Sequence, residues 1–144
     1  ASVRSRVPIP EVRSVYADKI VALALRPYLK HRDIYDLDFL VSTLRGRRRS
    51  GAPTSPEEAV EDIANVASIY DADLSDIRKG LEAFVSSEAA LDGSAMAEDM
   101  RRWLPTEEFE ALSEVGDFER MLEAVREEAR DASAAVAAQR NAFE

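Results

Sequence analysis

Apolar residues recur three and four positions apart along nearly the whole chain, and prolines and glycines interrupt the pattern at intervals. That spacing is one face of an α-helix, so the chain must bury a series of amphipathic helices against one another. A two-residue alternation occurs only over residues 2–7, Ser-Val-Arg-Ser-Arg-Val, where a short strand is expected. The expectation is a mainly α fold: one domain of 144 residues, a bundle of about five to six helices with that short N-terminal strand.

The breakers set the helix boundaries. Pro8 and Pro10 precede a helix over about 11–26, with Val12, Val15, Tyr16, Ile20, Leu23 and Pro27 on one face. A second helix is expected over about 32–45, striped by Ile34, Leu37, Leu40, Val41 and Leu44, before a basic loop over 46–54. Ser55-Pro56-Glu57-Glu58 is a strong helix start: a capping hydroxyl, a proline at the first helical position and two carboxylates at the positive end of the dipole. That helix should bury Val60, Ile63, Ala64, Ala67 and Tyr70. Further helices are expected over about 75–91 (Ile77, Leu81, Phe84 and Val85 inward), about 95–104 (Met100 and Trp103) and about 117–139 (Phe118, Met121, Leu122, Val125 and Ala129). A short turn begins at Pro105, and the Ala-rich end, Ala132 to Ala138, has high helix propensity with little to bury.

Composition excludes several chemistries. There is no Cys, which removes disulfides and thiolate catalysis, and a single His, His31, which removes a His-rich metal site. No apolar run nears the roughly 20 residues of a membrane span, and the opening ASVRSRVPIP lacks a signal peptide's apolar stretch. A soluble cytoplasmic protein without a membrane partner is expected. The net charge of −9 is divided: residues 1–50 carry a balance of +6 and residues 51–144 one of −15. The first part suits phosphates, and the second would repel nucleic acid.

The sharpest feature is charge inside the apolar stripes. Lys19 projects into the middle of the first stripe, with Arg26 seven residues below it. Asp33 falls within the second stripe and Asp36, three residues on, at its edge. A short link containing Pro27 makes the two helices antiparallel neighbours, so Lys19 and both Asp can converge in one partly buried pocket. Two readings stay open. A buried Lys–Asp pair can fix helix register, and Asp33 near a helix start can be a cap. Alternatively, the cation handles a nucleotide's phosphates while an Asp accepts a proton or helps to hold magnesium.

Ala17-Asp18-Lys19-Ile20-Val21-Ala22-Leu23-Ala24-Leu25-Arg26, followed by Lys30-His31-Arg32-Asp33-Ile34-Tyr35-Asp36-Leu37, resembles the AbiEii/AbiGii family of nucleotidyltransferase-like toxins. The family's third motif is matched by Lys19, Ala22 and Leu23, and its fourth, Arg-Asp-x-x-Asp, by Arg32, Asp33, Tyr35 and Asp36. The resemblance, carried by about residues 7–41, implies a role in bacterial toxin–antitoxin or phage-defence systems. It implies Lys19 on the nucleotide triphosphate, with Arg26 and Arg32 in the same nucleotide-binding set. Asp36, with Asp33 beside it, would be the catalytic carboxylate, and in some members of the family the acceptor is transfer RNA. The family's first two motifs, a Gly-Gly/Ser turn and an Asp-x-Asp strand, are not matched: the only acid before Asp18 is Glu11 and the first Gly is Gly46. The chain is therefore expected to correspond to the C-terminal half of such an enzyme. Mg2+ and a nucleoside triphosphate would belong to the complete enzyme. This chain by itself is expected to hold no metal and to be inactive without the N-terminal half or subunit.

The rival expectation is a non-catalytic helical interaction module that binds an antitoxin or another protein, with the last helix as a candidate face. A third is RNA contact through Arg45, Arg47, Arg48 and Arg49. Trp103 is expected in the core with Met100 rather than as a stacking platform, because Asp92, Glu98 and Asp99 lie close in sequence.

Overall fold

The computed structural model describes residues 9–49 and 55–143, with side chains described for 14–43 and 55–139. Seven α-helices and one 3-10 turn make up the described residues, with no strand among them. The helices are α1 (Ile9–Leu25), α2 (His31–Arg49), α3 (Pro56–Ile69), α4 (Leu74–Ser86), α5 (Gly93–Met100), α6 (Thr106–Glu114) and α7 (Asp117–Phe143), with the 3-10 turn at Ala89–Leu91. The strand expected over residues 2–7 lies outside the described residues.

Local chemistry explains most boundaries. Pro27 has no amide hydrogen, and α1 ends at Leu25 with one last bond, from the Arg26 amide to the Ala22 carbonyl. Ser55 caps α3 by accepting from the Glu58 amide, with Pro56 in the first turn. α4 opens with a capping box: Asp73 accepts from the Asp76 amide at 2.9 Å and Asp76 accepts from the Asp73 amide at 3.0 Å. Asp71, at φ 57°, and Gly116, at φ 67°, take the left-handed conformation that ends α3 and separates α6 from α7. Several boundaries depart from expectation: α4 ends at Ser86 rather than near Leu91, α5 ends at Met100 rather than near Leu104, and α7 runs on to Phe143. α2 runs through Gly46 to Arg49 rather than stopping near Arg45. A single glycine costs a helix only about 1 kcal/mol, and the arginines around it are good helix formers.

α7, 27 residues and so about 40 Å long, is the scaffold. α1 and α7 share three partners, α2, α3 and α4, while α5, α6 and the 3-10 turn dock on α7. The core runs through Ile20 and Val21 of α1, Ile34 and Leu37 of α2, Ile63 of α3, Ile77 and Leu81 of α4, and Phe118, Leu122 and Val125 of α7, all fully buried. The Ala-rich end of α7 is not idle: Ala135 and Val136 form a second buried cluster with Val60. Small side chains there let helices approach closely, which periodicity alone did not reveal. Four residues expected inside lie outside: Val15 on α1, Pro27 just after it, Tyr70 at the end of α3, and Trp103, 58% exposed in the turn after α5.

The α1–α4 crossing positions the site. A Cβ on Gly80 would meet the Ala24 carbonyl oxygen and stand 2.6 Å from its carbon. Glycine is needed for α4 to lie against the last turn of α1, which is the turn that presents Arg26.

Candidate functional site

The four charges that interrupt the α1 and α2 stripes meet where these helices pack. Lys19 Nζ donates to Asp33 Oδ1 at 3.0 Å and lies 3.2 Å from Asp36 Oδ2. Arg26 Nε approaches the second Asp33 oxygen to 2.8 Å. The N–H is not aimed along that line, so this is a close ion contact and not a hydrogen bond; neither atom has another hydrogen-bond partner. Cations about two turns apart thus grip the two oxygens of one carboxylate.

The environment of each group differs. The Asp33 side chain is 5% exposed, Lys19 26%, Arg26 34% and Asp36 41%. A carboxylate buried this far requires compensation, and Asp33 has two cations and a place in the first turn of α2, where the helix dipole favours negative charge. Burial pushes the Lys19 ammonium towards its neutral form, but Asp33 and then Asp36 outweigh that, so its pKa lies above the ordinary lysine value. The quartet is electrically balanced, two cations against two carboxylates.

Two clefts flank the end of α1. One, about 380 Å³, is lined by Arg26, Lys30 and Asp33 together with Tyr28, Phe84 and Ser87. The other, about 310 Å³, is lined by Asp18, Leu25, Arg26 and Tyr70. Lys19 and Asp36 line neither cleft. The convergence of Lys19 with both Asp is therefore present, while the adjoining recess opens at Arg26 and the inner side of Asp33, away from the ammonium.

Arg32 is not brought into the quartet. Its guanidinium lies over the Trp103 ring, 4.5 Å from the centroid. His31 Nδ1 meets Asp99 Oδ2 at 2.9 Å, and the Tyr35 hydroxyl donates to Glu108 at 2.8 Å. Sequence reasoning missed these links, and it missed Asp38, whose two oxygens accept from Arg120 at 3.1 and 2.9 Å while Asp117 accepts from the same Arg120 at 2.6 Å. The signal was available: Asp38 stands between Leu37 and Leu40 and is itself buried. Arginines 45, 47, 48 and 49 have no described side chains.

Among the described residues no three His, Asp or Glu side chains group as a metal site. Both oxygens of Asp33 face cations and Asp36 faces Lys19, so this set does not fit a resident magnesium ion. No helix of the described residues is long and apolar enough to cross a membrane.

The described residues thus form a helical bundle with a Lys–Asp–Asp convergence between its first two helices. The sequence model of one family, described as nucleotidyl transferase AbiEii toxin of a type IV toxin–antitoxin system, matches residues 3–144. The chain belongs to that family. No curated protein and no solved structure matches it significantly.

Proposed function

We propose that this chain is the helical, nucleotide-facing part of a nucleotidyltransferase toxin and contributes Lys19 and Asp36 to a composite active site. Membership of the toxin family supports the reaction class and the presence of an antitoxin partner. The observation that carries the residue assignment is the Lys19 bridge between Asp33 and Asp36. An ammonium has three protons, and two of these point at carboxylates. The third is left for a phosphate oxygen, and the raised pKa keeps the group charged.

The two Asp divide their work. Asp33, buried and gripped from both sides, is a positioning residue that fixes Lys19 and Arg26. Asp36, the most exposed of the four, is the carboxylate that can reach a reacting group and accept the proton of an attacking hydroxyl. Arg26 and Lys30, lining the larger cleft, supply further positive charge for phosphate. Magnesium, in the complete enzyme, would supply positive charge to stabilise the transferred phosphoryl group. The carboxylates that hold it come, on this reading, from an N-terminal nucleotidyltransferase half or subunit. The acceptor is an RNA, with a role in phage defence and a cytoplasmic site of action.

One observation favours a second reading. Lys19 is matched in charge by its two Asp partners and lies outside both clefts, as a clamp fixing the register of α1 on α2 would. The chain would then be a non-catalytic interaction module for an antitoxin or partner. Calorimetric titration of the full natural protein with each of the four nucleoside triphosphates, in the presence of magnesium, separates the two. The proposal expects Lys19→Met to weaken nucleotide binding at least tenfold while the far-ultraviolet dichroism is unchanged. Equal affinity in both proteins, with helicity retained, would leave the clamp.

A further inference from the structure

Arg32 and Asp36 stand one turn apart on α2, so their side chains are neighbours on one face of the helix. A guanidinium and a carboxylate so placed can pair. Among the described residues that pair is not made. The Arg32 guanidinium lies over the Trp103 ring, 4.5 Å from its centroid, and Asp36 gives Oδ2 to Lys19 at 3.2 Å. No ion pair with a described residue takes up the other Asp36 oxygen.

Trp103, the single tryptophan of the chain, is exposed, but it is held where it meets Arg32. Its amide donates to the Met100 carbonyl at 3.0 Å, which closes the turn after α5. The contact of His31 Nδ1 with Asp99 Oδ2, at 2.9 Å, joins the start of α2 to the end of α5. An indole offers a cation the best ring face of any side chain. Arg32 needs such a partner, because it stands in the first turn of α2, where the helix dipole disfavours positive charge.

The consequence falls on Asp36. A guanidinium set on a carboxylate occupies its acceptor positions and stabilises its charged form, so the carboxylate takes up a proton less readily. On the catalytic reading Asp36 accepts the proton of the attacking hydroxyl, and Lys19 already holds one of its oxygens. We propose that Trp103 is a positioning residue: by stacking on Arg32 it keeps that guanidinium off Asp36 and leaves the second carboxylate oxygen open to the reacting group. The effect on activity rests on the proposed role of Asp36; the choice that Arg32 makes between ring and carboxylate does not. At an exposed site both contacts are weak and the stack is the stronger, so removing the ring releases Arg32 to Asp36. Asp99 is the rival acceptor, but it already faces His31.

Proton magnetic resonance of the full chain reads that choice. Arginine protons that lie over an indole are moved upfield by its ring current. The proposal expects an upfield Arg32 in the parent, a smaller shift in Trp103→Phe and none in Trp103→Leu. In Trp103→Leu, cross-relaxation should appear between the Arg32 Hδ and Asp36 Hβ protons. The variants should fold, because the indole is mostly in water. Cross-relaxation to Asp99 instead, or Arg32 shifts that are the same with and without the indole, would overturn the proposal. Activity is the second readout, as transfer of label from α-phosphate-labelled nucleoside triphosphates to total RNA by the full natural toxin. Trp103→Leu should lower kcat about threefold with KM for the nucleotide unchanged, because an exposed pair of this spacing is formed about two-thirds of the time. Trp103→Phe should keep most of kcat. Trp103→Leu combined with Arg32→Gln should bring kcat back towards the parent's, which a general loosening of the turn would not do. A further fall in that double variant would overturn the proposal. Transfer of Arg32 onto Asp36 with kcat unchanged would overturn the role of Asp36 and uphold that of the ring.

Discussion

The Lys19 ammonium on α1 sits 3.0 Å from one oxygen of Asp33, a carboxylate that the start of α2 buries almost completely. The pair is asymmetric: Asp33 is deep, whereas Asp36, the other partner of Lys19, stands at the surface. Removing the inner charge leaves Lys19 with one exposed carboxylate and takes from Arg26 its contact with Asp33. Breaking a fully buried pair typically costs 3–5 kcal/mol, but both cations here keep some water. Asp33→Asn should therefore destabilise the fold by about 1–3 kcal/mol, and Asp36→Asn by less than about 1 kcal/mol, as exposed pairs do. Urea unfolding of the two variants checks the order. An Asp36→Asn penalty as large as that of Asp33→Asn would contradict the asymmetry.

The same pair predicts a loss of stability at alkaline pH. Lys19 has a folded-state pKa raised above its unfolded value, so its contribution is complete below the unfolded pKa, near about 10.4, and is lost as pH rises through the folded one. Between about pH 7 and 9 it should be flat. Unfolding free energies of the parent and of Lys19→Met, measured from pH 8 to 11.5, should converge at the upper end. A difference that stays constant across that range would remove Lys19 as the titrating group.

Gly80 offers a test of the α1–α4 packing that runs against propensity. In an isolated helix Gly→Ala stabilises by about 1 kcal/mol. Here the added methyl would be driven into the Ala24 carbonyl, which is backbone and cannot rotate away. Overpacking of that kind costs about 1–3 kcal/mol, so Gly80→Ala should lower the thermal midpoint rather than raise it. Because Ala24 belongs to the turn that carries Arg26, the variant should also disturb the cleft. A raised midpoint would mean that the helices can separate at little cost.

These positions show which parts of the structure were legible in the sequence. Helix starts were, where a cap and a proline act locally, as at Ser55 and Pro56. So was the convergence of Lys19, Asp33 and Asp36, because a charge in an apolar stripe must find a partner on the adjacent stripe. What escaped depends on contacts distant in sequence. Arg32 lies in the same short motif as Asp33, yet one helical step turns it towards Trp103, 71 residues on in the chain. Asp38 carries a similar signal to Asp33, but its partner, Arg120, lies on a helix whose position over α2 no local pattern gives. Trp103 was assigned to the core on hydrophobicity, but its position in the turn after Met100 faces it outward.

The Asp38–Arg120 fork ties α2 to α7, the scaffold helix. Arg120 donates through two nitrogens to Asp38 and through a third to Asp117, and those carboxylates hold its pKa further above the ordinary arginine range. A lysine supplies the charge without the planar fork. Arg120→Lys should cost about 1 kcal/mol, a modest figure because the guanidinium is half in water. Asp38→Asn should cost more, since its carboxylate is nearly buried. Denaturant midpoints of the two variants test this. Equal and negligible effects would reduce the fork to a surface contact.

Stability and toxicity should separate at Asp33 and Asp36. If Asp36 acts on a reacting group and Asp33 only positions, the two variants should divide when the full natural toxin is expressed without its antitoxin. Asp36→Asn should abolish growth arrest while its unfolding midpoint stays close to the parent's, because an exposed carboxylate contributes little to folding. Asp33→Asn should weaken toxicity together with stability, and lowering the growth temperature should recover part of it, as a folding defect allows. Asp36→Glu keeps the charge but moves it by about one bond length, so it should leave the fold intact and lose most of the activity. Arrest by Asp36→Asn at parental strength, with equal protein levels, would remove the carboxylate from the chemistry and leave Lys19, Asp33 and Asp36 as a clamp between two helices.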